Sequence, residues 1–416
     1  MDIVEQALGT ALYTPGDTAL DGGASLLAAD PGRWPDVGAE LLRRGAQLLR
    51  QAWERGWQPA DVVRLVRRDL DDRHVRLAVD LVAAEGRRYT RVEPRWQSQL
   101  DALGAAGAWW GADVDYAPAL AARESADRFT LATAHLELLR LLLSLPAVEP
   151  VGPVPGDPAH SAAPAAGEPR MLTRIRALLA KAEATDYPQE AEALSTKAQE
   201  LAARHSIDEA LLAVGGRSAD SPAACRIGVD APYETAKAVL LDTLASANRC
   251  QAVWSGELGF STVVGYPADL ESVEVLHASL LVQGTAAMTR AEAEQRAGGR
   301  KRTKTFRQAF WMAYASRLGD RLTEAAEHSA DAHAESLGAA DGTEGGAGRA
   351  DASAGSLLPV LAARDAAVSD RTQQMFPGTT RTRVRGVSDA AGWAQGTAAA
   401  DRARVGSGGR PLPPKG

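Results

Sequence analysis

The 416 residues carry 45% hydrophobic and 24% charged side chains and a formal net charge of −7. That is the make-up of a soluble globular protein too long for one ordinary core. Two cysteines, Cys225 and Cys250, are too few for a disulfide framework or a four-cysteine zinc site, and the negative balance argues against indiscriminate polyanion binding while leaving room for a local basic patch.

Residues 1–5, Met-Asp-Ile-Val-Glu, lack the basic and apolar regions of a signal peptide, so a cytoplasmic location is expected. Sparse aromatics and abundant alanine favour helix over sheet. Residues 1–145 read as an all-helical module. Over 35–55, Val37, Leu41, Leu48, Leu49, Ala52 and Trp53 recur at helical spacing and stop at Gly56. Helices over 59–68 and 71–89 come next, and a longer one over 118–145 closes the module. Its most apolar run, 136–145, is short and interrupted by Glu137 and Arg140, so it cannot span a bilayer. Six of the nine tryptophans lie in this module and serve as anchors of a core poor in phenylalanine.

Residues 146–169, with prolines at 150, 153, 155, 158 and 164, read as a semi-rigid, solvated linker. The next segment, 170–214, reads as a helix hairpin with a short extra helix. Leu172, Ile175, Leu178, Leu179 and Ala182 share one face, as do Ala191, Leu194, Ala198, Leu201 and Ala202. Thr185 or Asp186 caps the second helix, Pro188 suits its first turn, and Glu190 and Glu192 complement the helix dipole. The short joint makes the two helices antiparallel neighbours.

A C-terminal α+β domain is expected over 218–405. It opens with a strand near 225–230, a helix over 233–247, and two strands, 250–254 and 260–266, forming a hairpin around Ser255 to Gly259. Long helices start at Pro267 and near Lys304. A Gly/Ala/Asp-rich insert over 338–355 reads as disordered. A helix over 357–375, a strand-like stretch over 379–386, a final helix over 388–405 and a disordered tail, 406–416, complete the chain. The fold class is therefore mainly α with a small α+β C-terminal domain, in which a β-hairpin packs on long helices.

The hairpin resembles the bacterial and phage "domain of unknown function 2786" family. The residues that carry the likeness are Ile175, Leu178, Leu179, Lys181-Ala182, Glu190 to Ala193, Lys197-Ala198-Gln199, Leu201 and His205-Ser206-Ile207. The C-terminal domain resembles the companion domain of that family, through Val263 to Asp269, Thr305 to Phe310 and the Gly-rich final helix. The resemblance implies an arrangement and no activity.

Arginine dominates the basic residues, a skew that reads as the coding bias of a GC-rich genome, so arginine count alone says nothing about nucleic acid. Position says more. Arg296, Arg300, Lys301, Arg302, Lys304 and Arg307 fall where no acidic residue occurs from 295 to 319. The run lies at the start of a long helix, whose dipole disfavours positive charge; a bound anion would relieve the conflict. A solvated basic loop is the more ordinary reading. Arg381, Arg383 and Arg385 alternate with Thr380, Thr382 and Val384, and in a strand they would share one face about 7 Å apart. They could then track a phosphate backbone; otherwise they are the charges that protect an edge strand.

Glu324, His328, Asp331 and Glu335 share a helix face, but no paired-histidine zinc spacing occurs, and a solvated acidic face is the better reading. His205 fits a C-terminal helix cap, and Cys250 fits a core strand. Gly392, Gly396, Ala399 and Ala403 line one side of the last helix. Two interior glycines cost about 1 kcal/mol each against alanine, so another backbone is expected to pass close by.

No catalytic residue, metal ligand or cofactor is assigned. The leading expectation is a non-enzymatic binding or adaptor protein whose C-terminal domain engages nucleic acid or another polyanion through Arg300, Lys301, Arg302, Lys304, Arg307, Arg381, Arg383 and Arg385. The alternatives are a hydrolase or metal-dependent enzyme with a site between hairpin and C-terminal domain, and a scaffold that docks a protein partner on the N-terminal helices. No membrane association is expected.

Overall fold

The computed structural model describes residues 3–13, 16–156, 221–297, 304–340, 351–380 and 389–403; the side chains at 12, 13, 17, 323, 325–340 and 351–358 lie outside the description. The helix hairpin and most of the linker fall outside the described residues, as do Arg300, Lys301 and Arg302 of the first basic run and Arg381, Arg383 and Arg385. The chain divides into two units, Met1–Ala165 and Ala166–Gly416.

The first unit is helical: α1 (Ile3–Tyr13), α2 (Asp17–Ala28), α3 (Trp34–Glu54), α4 (Pro59–Asp69), α5 (Asp72–Gly86), α6 (Pro94–Leu103), α7 (Asp113–Glu124) and α8 (Arg128–Ser144). Local chemistry sets the boundaries. Asp71 caps α5 by accepting from the amides of Arg73 and His74 at 2.8 and 3.2 Å, and Gln58 and Asp61 form a reciprocal cap on α4. Gly56, at φ 93°, ends the turn after α3, and a Cβ there would collide with the Val148 carbonyl. The single helix expected over 118–145 is two helices. Ser125 turns left-handed at φ 48°, and Asp127 starts α8 by accepting from the Thr130 amide at 2.8 Å.

The start of the stretch read as a solvated linker is docked. The Val148 amide donates to Arg55 O at 2.9 Å. Trp57 Nε1 donates to Pro146 O at 2.7 Å, and Arg50 Nη1 to Pro155 O at 2.7 Å. Five of the six tryptophans read as core anchors are buried, Trp34, Trp53, Trp57, Trp96 and Trp110, with Trp53 and Trp96 edge to face at 5.3 Å, whereas Trp109 is exposed.

In the second unit, β1 (Ala223–Gly228), β2 (Gln251–Ser255) and β3 (Phe260–Gly265) form an antiparallel sheet ordered β1-β3-β2. Cys225 pairs with Val263, and Val253 with Thr262. Central β3 is buried along its whole length, its polar Ser261 and Thr262 included. Helices α9 (Glu234–Ala247), α10 (Pro267–Ala297), α11 (Lys304–Ala340), α12 (Asp351–Met375) and α13 (Ala390–Arg402) complete the unit. Thus α12 begins inside the stretch read as disordered, and Thr379 and Thr380 are not in a strand. Phe306, Phe310, Trp311, Tyr314 and Leu318 of α11 build a core with Leu240, Leu244, Leu280 and Ala399. As the glycines imply, α13 lies close on α11: a Cβ at Gly392 or Gly396 would run into the carbonyl oxygen of Phe306 or Phe310. Among the described residues no helix is long and apolar enough to cross a membrane.

Candidate functional site

The basic start of α11 carries its own counter-anion. Glu292, 6% exposed in α10, accepts from Arg307 Nε at 2.8 Å and Nη2 at 2.6 Å, and from Arg296 Nη2 at 2.6 Å. This bidentate carboxylate holds the Arg307 guanidinium above its ordinary value. The conflict between positive charge and the α11 dipole is thus met internally, and Arg307 and Arg296 are engaged in structure. Lys304 is exposed. Arg300, Lys301, Arg302, Arg381, Arg383 and Arg385 lie outside the described residues.

The anchors of the two arginine-rich segments adjoin. The hydroxyl of Thr305 donates to Asp389 Oδ2 at 3.5 Å. Asp389 also caps α13, its Oδ1 accepting from the Gly392 amide at 2.9 Å. With Gly392 seated on the Phe306 backbone, the first turns of α11 and α13 meet. Lys304 and Asp389, the first described residues after 298–303 and 381–388, therefore lie near one another. Periodicity could not show this contact, which joins residues 84 positions apart.

Glu292→Gln removes the partner of two guanidiniums. Because Arg296 and Arg307 are partly solvated, the expected loss is about 1–2 kcal/mol rather than the larger cost of breaking a fully buried pair. Urea unfolding checks it; an unchanged midpoint would mean that the pair contributes nothing.

The other polar groups read from sequence are dispersed. Glu324 is exposed and 3.8 Å from Arg317. The side chains of His328, Asp331 and Glu335 lie outside the described residues, as do Glu190, Glu192 and His205. Cys250 is buried behind Gly265, and burial pushes its thiol far above the usual range, which keeps it protonated and unreactive. Among the described residues no group of three or more His, Cys, Asp or Glu side chains could hold a metal.

Sequence reading missed an open cleft of about 210 Å³ in the first unit, lined by Asp71, Arg73, His74, Phe129, Thr130 and Glu137 among others. Here His74 Nδ1 lies 2.8 Å from Asp71 Oδ1 and Nε2 lies 2.9 Å from Glu137 Oε2. With both ring nitrogens engaged, His74 clamps α5 to α8. Trp393 was missed too: its indole is 43% exposed in the second turn of α13. The glycine stripe was the signal that could have found it, since Trp393 lies between the two packed glycines in sequence and off their line on the helix.

Residues 170–209 match the family model described as Protein of unknown function (DUF2786). No curated protein and no solved structure matches the chain.

Proposed function

We propose that the protein is a binding or adaptor protein that captures a polyanion, nucleic acid in the first instance, where α11 and α13 begin. The observation that carries this reading is the Thr305–Asp389 junction. A chain covers at most about 3.5 Å per residue, so Arg302, three residues before Thr305, and Arg385, four before Asp389, are tethered to one place. Two short basic segments held together can neutralise several phosphates at once, whatever the sign of the net charge elsewhere. Arg307 is not needed as a ligand; it positions the start of α11 through Glu292.

The expected result is salt-sensitive binding of labelled DNA or RNA by the full chain. Replacing Arg300, Lys301 and Arg302 together by alanine should weaken it by roughly tenfold or more at low salt, and the same change at Arg381, Arg383 and Arg385 should do likewise. Titration at two salt concentrations checks this; no binding at the lower one rejects the reading.

A further inference from the structure

We propose that the surface built by the end of α3 and the chain just after α5 is a binding site for a partner's proline-rich segment, occupied in cis by residues 146–156. This stands apart from the polyanion reading. The occupying segment, Pro-Ala-Val-Glu-Pro-Val-Gly-Pro-Val-Pro-Gly, forms no helix or strand, yet it is held at both ends. Arg55 Nη1 donates to Leu145 O at 2.8 Å, and Trp57 Nε1 to Pro146 O at 2.7 Å. At the far end Arg50 Nη1 donates to Pro155 O at 2.7 Å, and Pro155 is buried.

All three donors are side chains, and all three acceptors are backbone carbonyls. That complements a proline-rich chain, whose proline nitrogens carry no hydrogen and whose extended backbone leaves its carbonyls without internal partners. The donors are set by the helices and not by the strap. Arg50 is held by Glu54 Oε1 at 2.9 Å and by the Tyr89 hydroxyl at 2.8 Å. That hydroxyl donates in turn to Glu85, a carboxylate 2% exposed that also accepts from Trp53 Nε1 at 3.0 Å. Donors and aromatic rings fixed before a ligand arrives are the means by which proteins read extended proline-rich peptides. Because these contacts reach the backbone, another chain of like composition can satisfy them. Between the two ends no hydrogen bond holds Pro150 to Val154 among the described residues. A competitor can therefore displace the strap from one end.

The probe is a labelled peptide with the sequence of residues 145–156, compared with one in which its four prolines are alanine. The protein is the full chain. In the wild type the strap competes from the same molecule, so peptide binding is expected to be weak. Pro155→Ala combined with Gly156→Val opens the strap, since the valine would take φ 82° and its Cβ would stand 3.2 Å from the Tyr89 ring. This variant should bind the peptide about tenfold or more tightly than the wild type. Adding Arg50→Gln removes the donor to the Pro155 carbonyl and should weaken that binding by about tenfold or more. The alanine peptide should also bind about tenfold more weakly. In the wild type, excess peptide should speed hydrogen exchange at the Val148 amide, which donates to Arg55 O. Should the opened variant fail to fold, this exchange measurement decides alone. Binding no tighter in a folded opened variant, equal affinity for the alanine peptide, indifference to Arg50→Gln, or unchanged exchange in the wild type would each overturn the assignment.

Discussion

Gly396→Ala is expected to destabilise the second unit by about 2–3 kcal/mol, although alanine is the better helix former by about 1 kcal/mol. The sign is set by the atoms the added methyl meets. At Gly396 it would press into the carbonyl oxygen of Phe310, part of the backbone of α11, which cannot rotate away as a side chain could. The two helices must separate, and the contacts of Ala399 and Ala400 with the Phe310 layer loosen with them. Gly392→Ala should act alike, against Phe306 O and the Ala309 methyl. Gly9 in α1 supplies the contrast, since a Cβ there meets nothing within 4 Å. Gly9→Ala should therefore stabilise by about 0.5–1 kcal/mol. Urea unfolding measures all three. Equal or greater stability of Gly396→Ala would mean that α13 is not held at this distance.

The second large effect is expected in acid. His135 and His277 are buried at 2% and 3% exposure. Each has a buried Nε2 without a hydrogen-bond partner, while His135 Nδ1 donates to Leu131 O at 2.7 Å. Burial lowers both imidazoles to about 4, helped at His135 by the nearby His74 and at His277 by the charge of Lys237. The folded protein thus takes up these protons only near pH 4, whereas the unfolded chain takes them up near 6.5. Between those values the unfolded state binds more protons, so stability is fully present above the upper one and falls toward the lower, by on the order of 3 kcal/mol per histidine.

Buried Asp80 and Glu85 work the other way. Desolvation raises both carboxyls, against the hydrogen bonds they accept from Trp109 and Tyr116 and from Tyr89 and Trp53. They are protonated earlier in the folded protein and offset part of the loss at the acid end. Unfolding free energies at about pH 7 and about pH 4.5 should differ less in His135→Leu than in the wild type by most of one histidine's contribution. An identical difference would mean that His135 is charged in the native core.

The features legible in the sequence were local. Helical spacing placed α3, α4, α5 and α10, and the turn residues around Gly256 to Gly259 placed β2 and β3. The glycine stripe of α13 was legible because two glycines in a helix demand a compensating contact. The break between α7 and α8 was missed even though its signal is local, since Asp127 with Thr130 three positions on is a helix start inside an apolar run that hides it. The pairings that decide the candidate site are of another kind. Glu292 neutralises Arg307 across 15 positions, and Thr305 meets Asp389 across 84. Spacing cannot say which carboxylate will face which cation once helices pack. The reading of residues 146–169 as a solvated linker weighed composition alone. It took no account of the donors, Trp57 Nε1 and the Arg50 guanidinium, that capture carbonyls along its first ten residues.

The most direct test of convergence of the two arginine-rich segments on one polyanion is the slope of log affinity against log salt. It should be measured for the full chain and for each triple-alanine variant. If all six arginine and lysine side chains of the two segments meet phosphates, the slope is expected near −4 on a single strand, and each triple variant should lower its magnitude by about 2. A slope near zero, or one that neither variant alters, would rule that convergence out.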